Sequence, residues 1–469
     1  MAGGAGAAAV LGPVEALAGL GAVVFGACVW RWPALAAYLL VGLTPLTVGI
    51  SSGSSVPVRP NEVLAVVMGG VLVVRGVAML RTGQWPALRL DRAEAGLVAM
   101  AVASSAVPLV WMAARQEQIT SGDLLYSLVL WKFLGLYALV RLSVRTEQQV
   151  RRCLWISVAA ASVVAVLAIM QSLGLFGVPG LLARFFAYSG NAGAGAGGRG
   201  SSTLGLPAAT GDLLVFNLAV AAGLWARYRR RPLLLAGAAA LFVVGTLAAG
   251  EFSSAIGLLT GAVCIAVAAG RPKLLALLAP AAVIGGLIMQ PVIARRLQGF
   301  QSASGLPASW TGRLHNLQTY FWPTLFSHGN FLFGVQPDAR VQVATQAAGY
   351  VWIESGYTWL LWGGGIPLLA SFCYFTWAAA RRAWAASRGP ADAASAAGTA
   401  AFTAAIVIAV LMLLDPHLTY RGSGDEFFFL LALATPQQHP AGPATGTASL
   451  TRPLARYGGL DQCRRTRSG

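Results

Sequence analysis

The fold class this sequence predicts is an all-α, polytopic transmembrane helical bundle, and three observations predict it. The chain of 469 residues is 57% hydrophobic and only 10% charged, where a soluble domain carries about 25% charged residues. Its mean hydropathy is +0.67. Its apolar runs reach the roughly 20 residues that a helix needs to cross a bilayer, and little separates one run from the next. A membrane barrel would instead show alternating segments of about 10 residues.

Taken in chain order, spans are expected at roughly 10–30, 33–50, 61–80, 94–112, 124–141, 153–173, 207–226, 232–249, 252–270, 273–290, 352–380 and 399–415. A shorter run at about 425–435 is a candidate thirteenth, which gives about 12–13 spans. No Lys or Arg precedes Arg31, so the first run reads as a retained helix and not as a secretory signal with a basic start. The five cysteines are far apart and show no metal-ligand spacing; an odd count also argues against a disulfide framework.

Orientation follows from the basic loops. Arg227, Arg229, Arg230 and Arg231 form the densest cluster, which the positive-inside bias assigns to the cytoplasm. Alternation then puts Arg81–Arg92, Arg141–Arg152, Arg271–Lys273, Arg381–Arg388 and the tail Arg452–Arg467 on the same side. With Arg31 these make 22 of the 33 basic residues, against nine on the other side. The net charge of +17 is thus scattered between apolar runs, which does not suggest a nucleic-acid partner. The chain divides into N-terminal helices (1–173), a first extracytoplasmic segment (174–206), further helices (207–290), a large extracytoplasmic loop (291–351), C-terminal helices (352–435) and a disordered basic cytoplasmic tail (436–469).

Arginine on the outer face works against the insertion bias, so its presence there needs a reason. Seven of the nine outer arginines lie between 184 and 421, in or near the two long segments. Guanidinium forks recognise phosphate bidentately; lipid headgroups or surface ion pairs would use them equally well. After a flexible glycine tract, Arg199, Ser202 and Thr203 precede an apolar helix that Pro207 opens. A guanidinium, hydroxyls and backbone N–H groups at a helix N-terminus suit an anion, or simply cap the helix. The later loop carries Arg313, His315 and Arg340 among aromatic residues that suit helices lying at the membrane interface. Glu354, with Tyr357 beyond it, stands at the mouth of the next apolar run. A carboxylate there is costly unless paired or used, so Glu354 is the candidate general base, with a salt bridge as the alternative. Glu251 in a short outer turn, the Asp415/His417/Arg421/Asp425/Glu426 group and Lys132 within a span are further notable ionisable residues.

Three patches carry a resemblance: Arg199-Gly-Ser-Ser-Thr-Leu-Gly-Leu-Pro, then Gly312-Arg313, then Ile353-Glu354-Ser355-Gly356-Tyr357 leading into Gly363–Pro367. In this order and on this side they resemble the O-antigen ligase / O-antigen polymerase superfamily of bacterial envelope proteins, over roughly residues 180–370. The resemblance implies an inverting, metal-independent glycosyltransferase of the GT-C type, with no cofactor, in the bacterial plasma membrane, its active site facing the periplasm or cell exterior. It implies an undecaprenyl-diphosphate-linked oligosaccharide donor, a glycan acceptor, surrounding membrane lipids and other polysaccharide-assembly proteins as partners. Arg199 and Arg313 would bind the diphosphate and stabilise its leaving charge, and a base near the third patch would deprotonate the acceptor. Ligases of the family carry a histidine there, whereas this chain has Glu354 and no histidine between His328 and His417. A polymerase of exopolysaccharide, capsule or O-antigen repeat units is therefore expected ahead of a ligase. A transporter or flippase of a lipid-linked or anionic substrate is the reading from a different class. It lacks the matching halves that many transporters show.

Overall fold

The computed structural model describes residues 24–50, 59–81, 90–186, 198–228, 231–270, 273–298, 308–344 and 349–435, with Gly21 and Phe300 as isolated positions. The expected disordered tail, the glycine tract before Gly198 and the start of the first apolar run lie outside them.

Among the described residues nine helices are long and apolar enough to cross a membrane: Pro60–Arg81, Arg92–Ala114, Ser121–Ser143, Glu147–Ser172, Pro207–Tyr228, Pro232–Ala249, Phe252–Ala269, Gly356–Ser387 and Ala393–Leu411. Two bent pairs, Val24–Arg31 with Ala34–Thr47 (117°) and Leu278–Ile288 with Gln290–Gln298 (72°), raise the number to eleven if each is one span. The chain is thus a multi-pass helical membrane protein. Its described spans are fewer than the 12–13 expected, for two reasons. Most of the first run lies outside the described residues, its described end meeting the second run in a sharp bend, and the expected thirteenth is the Ser423–Leu433 helix of 11 residues. Eleven residues rise only about 16 Å, half of an apolar core ~30 Å thick.

Several helix starts rest on local chemistry. Asp91 with Glu94, Thr120 with Asp123 and Thr146 with Gln149 form reciprocal capping boxes, each satisfying two N–H groups that the first turn leaves open. Tertiary burial then sorts the helices. The hydrophobic window of Pro207–Tyr228 is 89% buried and that of Pro60–Arg81 only 11%; the former is the axis of the bundle and the latter faces lipid. Small residues permit the close packing that drives helix association in lipid. A Cβ on Gly96 would lie 2.9 Å from the Phe375 Cα, and one on Gly211 would lie 2.1 Å from the Ser254 Oγ.

Successive helices run between two ends. At one end Asp91 pairs with Arg382 (2.6 Å), Glu94 with Arg141 (2.8 Å) and Glu147 with Tyr228 (2.7 Å), and Arg227 donates to the Ser387 carbonyl. At the other, Gly200 N–H donates to Ala248 O (2.9 Å), Arg115 donates to Asn330 Oδ1 (2.8 Å), and Tyr357 N–H donates to Met412 O (3.2 Å). The described segments around 199, 251, 290–298, 308–344, 349–355 and 412–422 all gather at this second end.

Three departures from simple up-and-down helices shape that end. The Gly356–Ser387 helix is broken at Gly364 and Gly365, where Gly365 takes φ +63°. The break exposes the Trp362 carbonyl, which accepts from Val335 N–H (2.7 Å), so the Asn330–Val335 stretch docks into it. Arg340–Gln342 and Tyr350–Trp352 form an antiparallel hairpin with Trp352 opposite Arg340. Residues 412–422 fold inward, burying His417 and Leu418 and starting the last helix inside the bundle, with Asp425 against Lys132 at 3.2 Å. That depth is why the last helix is short.

Candidate functional site

Arg199 sits on a turn whose hydroxyls face the protein. Gly200 packs so closely on the Glu147–Ser172 helix that a Cβ there would lie 2.7 Å from Ala168 O. Ser202 Oγ donates to Val164 O (2.8 Å) and Thr203 Oγ1 to Pro45 O (2.7 Å), while Ser202 N–H donates to Gln171 (2.7 Å). Ser202 and Thr203 are buried. The expected anion site of hydroxyls at the start of the Pro207 helix is therefore corrected: these side chains satisfy backbone carbonyls and fasten the turn. Only the Arg199 guanidinium remains outward.

Arg199 meets Glu251 at 2.7 Å, and Arg296 binds the other oxygen of the same carboxylate. Glu251 follows Gly250, whose φ of +62° is a left-handed turn that glycine adopts without strain; Arg296 Nε also donates to the Gly250 carbonyl at 2.5 Å. Arg295 completes the group. Its Nη1 lies where a Cβ on Gly198 would come within 2.6 Å, and no carboxylate among the described residues pairs with it. The guanidinium groups of Arg199 and Arg296 thus share one carboxylate, and that of Arg295 stands beside them at Gly198.

The neighbouring group has the opposite balance. Arg313, on the Ala308–Asn316 helix, reaches Asp415 at 2.8 Å and Glu354 at 3.5 Å. Burial alone would lower the Arg313 pKa, but Asp415 and Glu354 outweigh it and hold the guanidinium above its ordinary value. Burial raises the Glu354 carboxyl, and Asp415 adds to the rise, while Arg313 and a hydrogen bond from Asn316 oppose it. Burial likewise raises Asp415 against the pull of Arg313 and His417. Asn316 stands three residues after Arg313, on the same helix face. The two groups feel each other, since Glu251 acts on Arg313 and Asp415.

Beneath Asp415, His417 Nδ1 lies 2.6 Å from Asp212 Oδ2 with both side chains buried. The His417 N–H bonds back to Asp415 O (2.7 Å), and the Tyr420 ring packs tilted against the imidazole at 4.6 Å while its hydroxyl donates to the Asp415 carboxyl. This inner pair anchors the loop that presents Asp415 to Arg313.

Of the expected site residues, the structure brings Glu354 and Arg313 together and places Arg199 in the adjoining group. It does not bring in the others. His315 is exposed and, two residues from Arg313, lies about 200° around the helix, on its far side. Tyr357 donates to Ala409 O (2.9 Å), tying two spans together. Arg340 is held bidentately by Asp338, with contacts of 2.7 and 2.9 Å, and belongs to the hairpin. Arg295, Arg296, Asn316 and Asp212 were not singled out as site residues by the sequence. Adjacent arginines after an apolar run were the one available signal for the first two. Two clefts lie elsewhere, one lined by Arg151, Trp155 and Tyr228 and one beside Trp30 and Val74, and neither lining includes a carboxylate. Among the described residues no three His, Cys, Asp or Glu side chains converge to hold a metal ion.

Comparison of the chain with protein-family models, with curated proteins and with solved structures gives no match.

Proposed function

We propose that the chain is a membrane glycosyltransferase that joins lipid-diphosphate-linked oligosaccharides outside the cytoplasm, most simply as a polysaccharide polymerase. The observation that carries this reading is the division of one charged patch into two halves. Arg199, Arg295 and Arg296 against Glu251 leave a surplus of two positive charges, matching a diphosphate diester. Arg313 between Glu354 and Asp415 leaves a surplus of one negative charge, which suits a proton acceptor. Bidentate guanidinium contacts favour phosphate oxygens, and fixed cations lower the barrier most where charge develops as the bond breaks.

In the proposed step, the acceptor hydroxyl oxygen attacks the anomeric carbon of the donor sugar. The bond from that carbon to the phosphate oxygen breaks, and its electron pair leaves with the lipid diphosphate. The hydroxyl proton passes to Glu354. A base must reach its substrate, and access decides between the candidates here: Glu354 is 34% exposed and His417 is 0% exposed. The ligase reading, which wants a histidine at this position, is correspondingly less favoured. The density of arginines at the opposite end fits a cytoplasmic orientation for that end.

The test is substitution followed by sizing of surface polysaccharide. Arg199→Ala and Arg313→Ala are each expected to cut polymer formation by about 10²–10³-fold, the cost of removing one preorganised charge-stabilising group, with the protein still in the membrane. Normal polymer length in both variants sinks the reading. Deletion of the whole chain separates the alternatives: loss of long chains with single repeats retained marks a polymerase, and long lipid-linked chains left unattached mark a ligase. In liposomes, transmembrane movement of a lipid-linked glycan without elongation marks a carrier.

A further inference from the structure

The hairpin beside Glu354 carries a face that the charge-transfer chemistry does not use. Tyr350, Trp352 and Glu354 alternate outward with the inward Val351 and Ile353, which are buried. The ladder runs on past the strand, since Ile353 N–H donates to Ala339 O (3.2 Å). At a strand rise of ~3.3 Å, Trp352 is about 7 Å from Glu354 along the backbone and points to the same side. Opposite Trp352 stands Arg340, whose guanidinium lies 5.2 Å from the Tyr126 ring centre and 5.7 Å from those of Tyr350 and Trp352. Trp352 is 37% exposed.

Arg340 is not a free anchor for an anion here. Asp338 takes its fork, and Asp123 lies behind, its Oδ1 facing the Asp338 N–H at 3.4 Å. Two carboxylates against one guanidinium repel a phosphate or an anionic headgroup. What remains is a set of rings around a fixed polar group, with no surplus positive charge. A pyranose presents the matching chemistry: C–H faces that pack on aromatic rings and equatorial hydroxyls that bond to polar groups at their edge.

We propose that Trp352 and Tyr350, with Tyr126 and Arg340 at their side, form a subsite for a neutral sugar of the acceptor glycan, aligning its terminal hydroxyl with Glu354. This subsite rests on the glycosyl-transfer reading. It separates the acceptor, along the hairpin, from the donor diphosphate at Arg199, Arg295 and Arg296.

The probe is a lipid-free oligosaccharide released by mild acid from the surface polysaccharide of the cell that makes this protein. Its binding to the full-length protein in nanodiscs is read by tryptophan fluorescence and by saturation-transfer NMR. Trp352→Ala and Tyr350→Ala are each expected to weaken binding about tenfold, as truncation of a stacked ring does, and Trp352→Phe to stay within about threefold. Gln148→Ala, exposed at the opposite end of the bundle, is expected to bind the glycan as wild type does. Two ring variants keep the result from hanging on the folding of one, and each is used only if it elutes as wild type does. Unchanged binding in both, or no saturable binding by the wild type, overturns the subsite. If the ring variants lose the glycan while Arg199→Ala and Arg313→Ala cells both still make normal polymer, the subsite stands and the enzyme reading falls alone.

Discussion

Glu354 has an unusual set of neighbours for a surface carboxylate, and they set its pH dependence. Burial and Asp415 push its pKa above the ordinary value of 4.5, while Arg313 and the Asn316 hydrogen bond pull it down. A general base works ionised, so activity falls as pH drops through the Glu354 pKa. Asn316→Ala removes a group that favours the ionised form; the Glu354 pKa then rises, and the acid limb of the rate profile moves to higher pH. Asp415→Asn removes a like charge and also frees Arg313, and the limb is expected to move to lower pH. Both are read from pH–rate profiles of reconstituted protein, and an acid limb that ignores both changes rules out Glu354 as the base. Deeper in the bundle, Ser157 Oγ lies 2.6 Å from Asn217 Oδ1 and 2.5 Å from Glu426 Oε1. Asn217 is fixed in that sense because its Nδ2 donates to Leu213 O (3.1 Å). One hydroxyl proton cannot serve two acceptors, so Glu426 must bring a donor of its own, as its acid form does. Glu426→Gln supplies that donor as an amide and is expected to unfold with wild-type stability. Glu426→Ala leaves buried groups unpaired and is expected to cost about 1–3 kcal/mol, seen by thermal unfolding in detergent. Glu354 stood out in the sequence because a charge at the mouth of an apolar run is conspicuous, and Arg313 because arginine on the outer face works against the insertion bias. Ser202 and Thr203 were misread because a hydroxyl's partner is a backbone carbonyl elsewhere, here Val164 and Pro45, which no local pattern reveals.

At the scale of elements, hydropathy located the straight spans because each apolar run carries its own signal. It missed the bends. The Ala393–Leu411 helix and the last helix are joined by 412–422, which folds inward to set His417 on Asp212; that pairing joins residues 205 positions apart. The Gly363–Pro367 stretch was visible as a motif, but its consequence was not. Gly365 holds φ +63°, and a Cβ there would lie 2.4 Å from the Leu332 carbonyl carbon. Gly365→Ala must therefore strain the turn and push away the Asn330–Val335 stretch, at a cost of about 1–3 kcal/mol for the backbone alone. Gly363→Ala is the control, since a Cβ there meets only Leu368 Cδ2 at 3.9 Å, an ordinary contact. Thermal unfolding is expected to separate the two. Equal stability of both variants would show that the break does not depend on this glycine.

At the scale of the whole molecule, both ends of the bundle pair some of their arginines, Arg382 with Asp91 and Arg141 with Glu94 at the end away from the site, and the ends differ in how many they carry. At the site end Arg199 and Arg296 meet Glu251, Arg313 meets Asp415 and Glu354, and Arg340 meets Asp338. Across the opposite end Arg145, Arg151, Arg152, Arg227, Arg231 and Lys273 follow one another at the helix termini. Topology responds to the number of Lys and Arg in short loops, with acidic residues counting little, so pairing at the site end does not cancel its arginines. The bias rests on their being fewer. It orients the opposite end to the cytoplasm and the charged patch away from it, where a lipid-diphosphate donor would have to be presented. Two exposed neutral positions test this directly in a background with the five native cysteines replaced. His315→Cys lies on the Arg313 helix but on its far, exposed side, and Gln148→Cys lies at the opposite end, next to the Glu147–Tyr228 bond. A membrane-impermeant maleimide added to intact cells is expected to label the cysteine at 315 and to reach the one at 148 only after permeabilisation. The reverse pattern would put the patch on the cytoplasmic side. An extracytoplasmic polymerase would then be impossible whatever the arginine variants do, whereas the hairpin subsite, which is a property of the folded chain, would still bind its glycan.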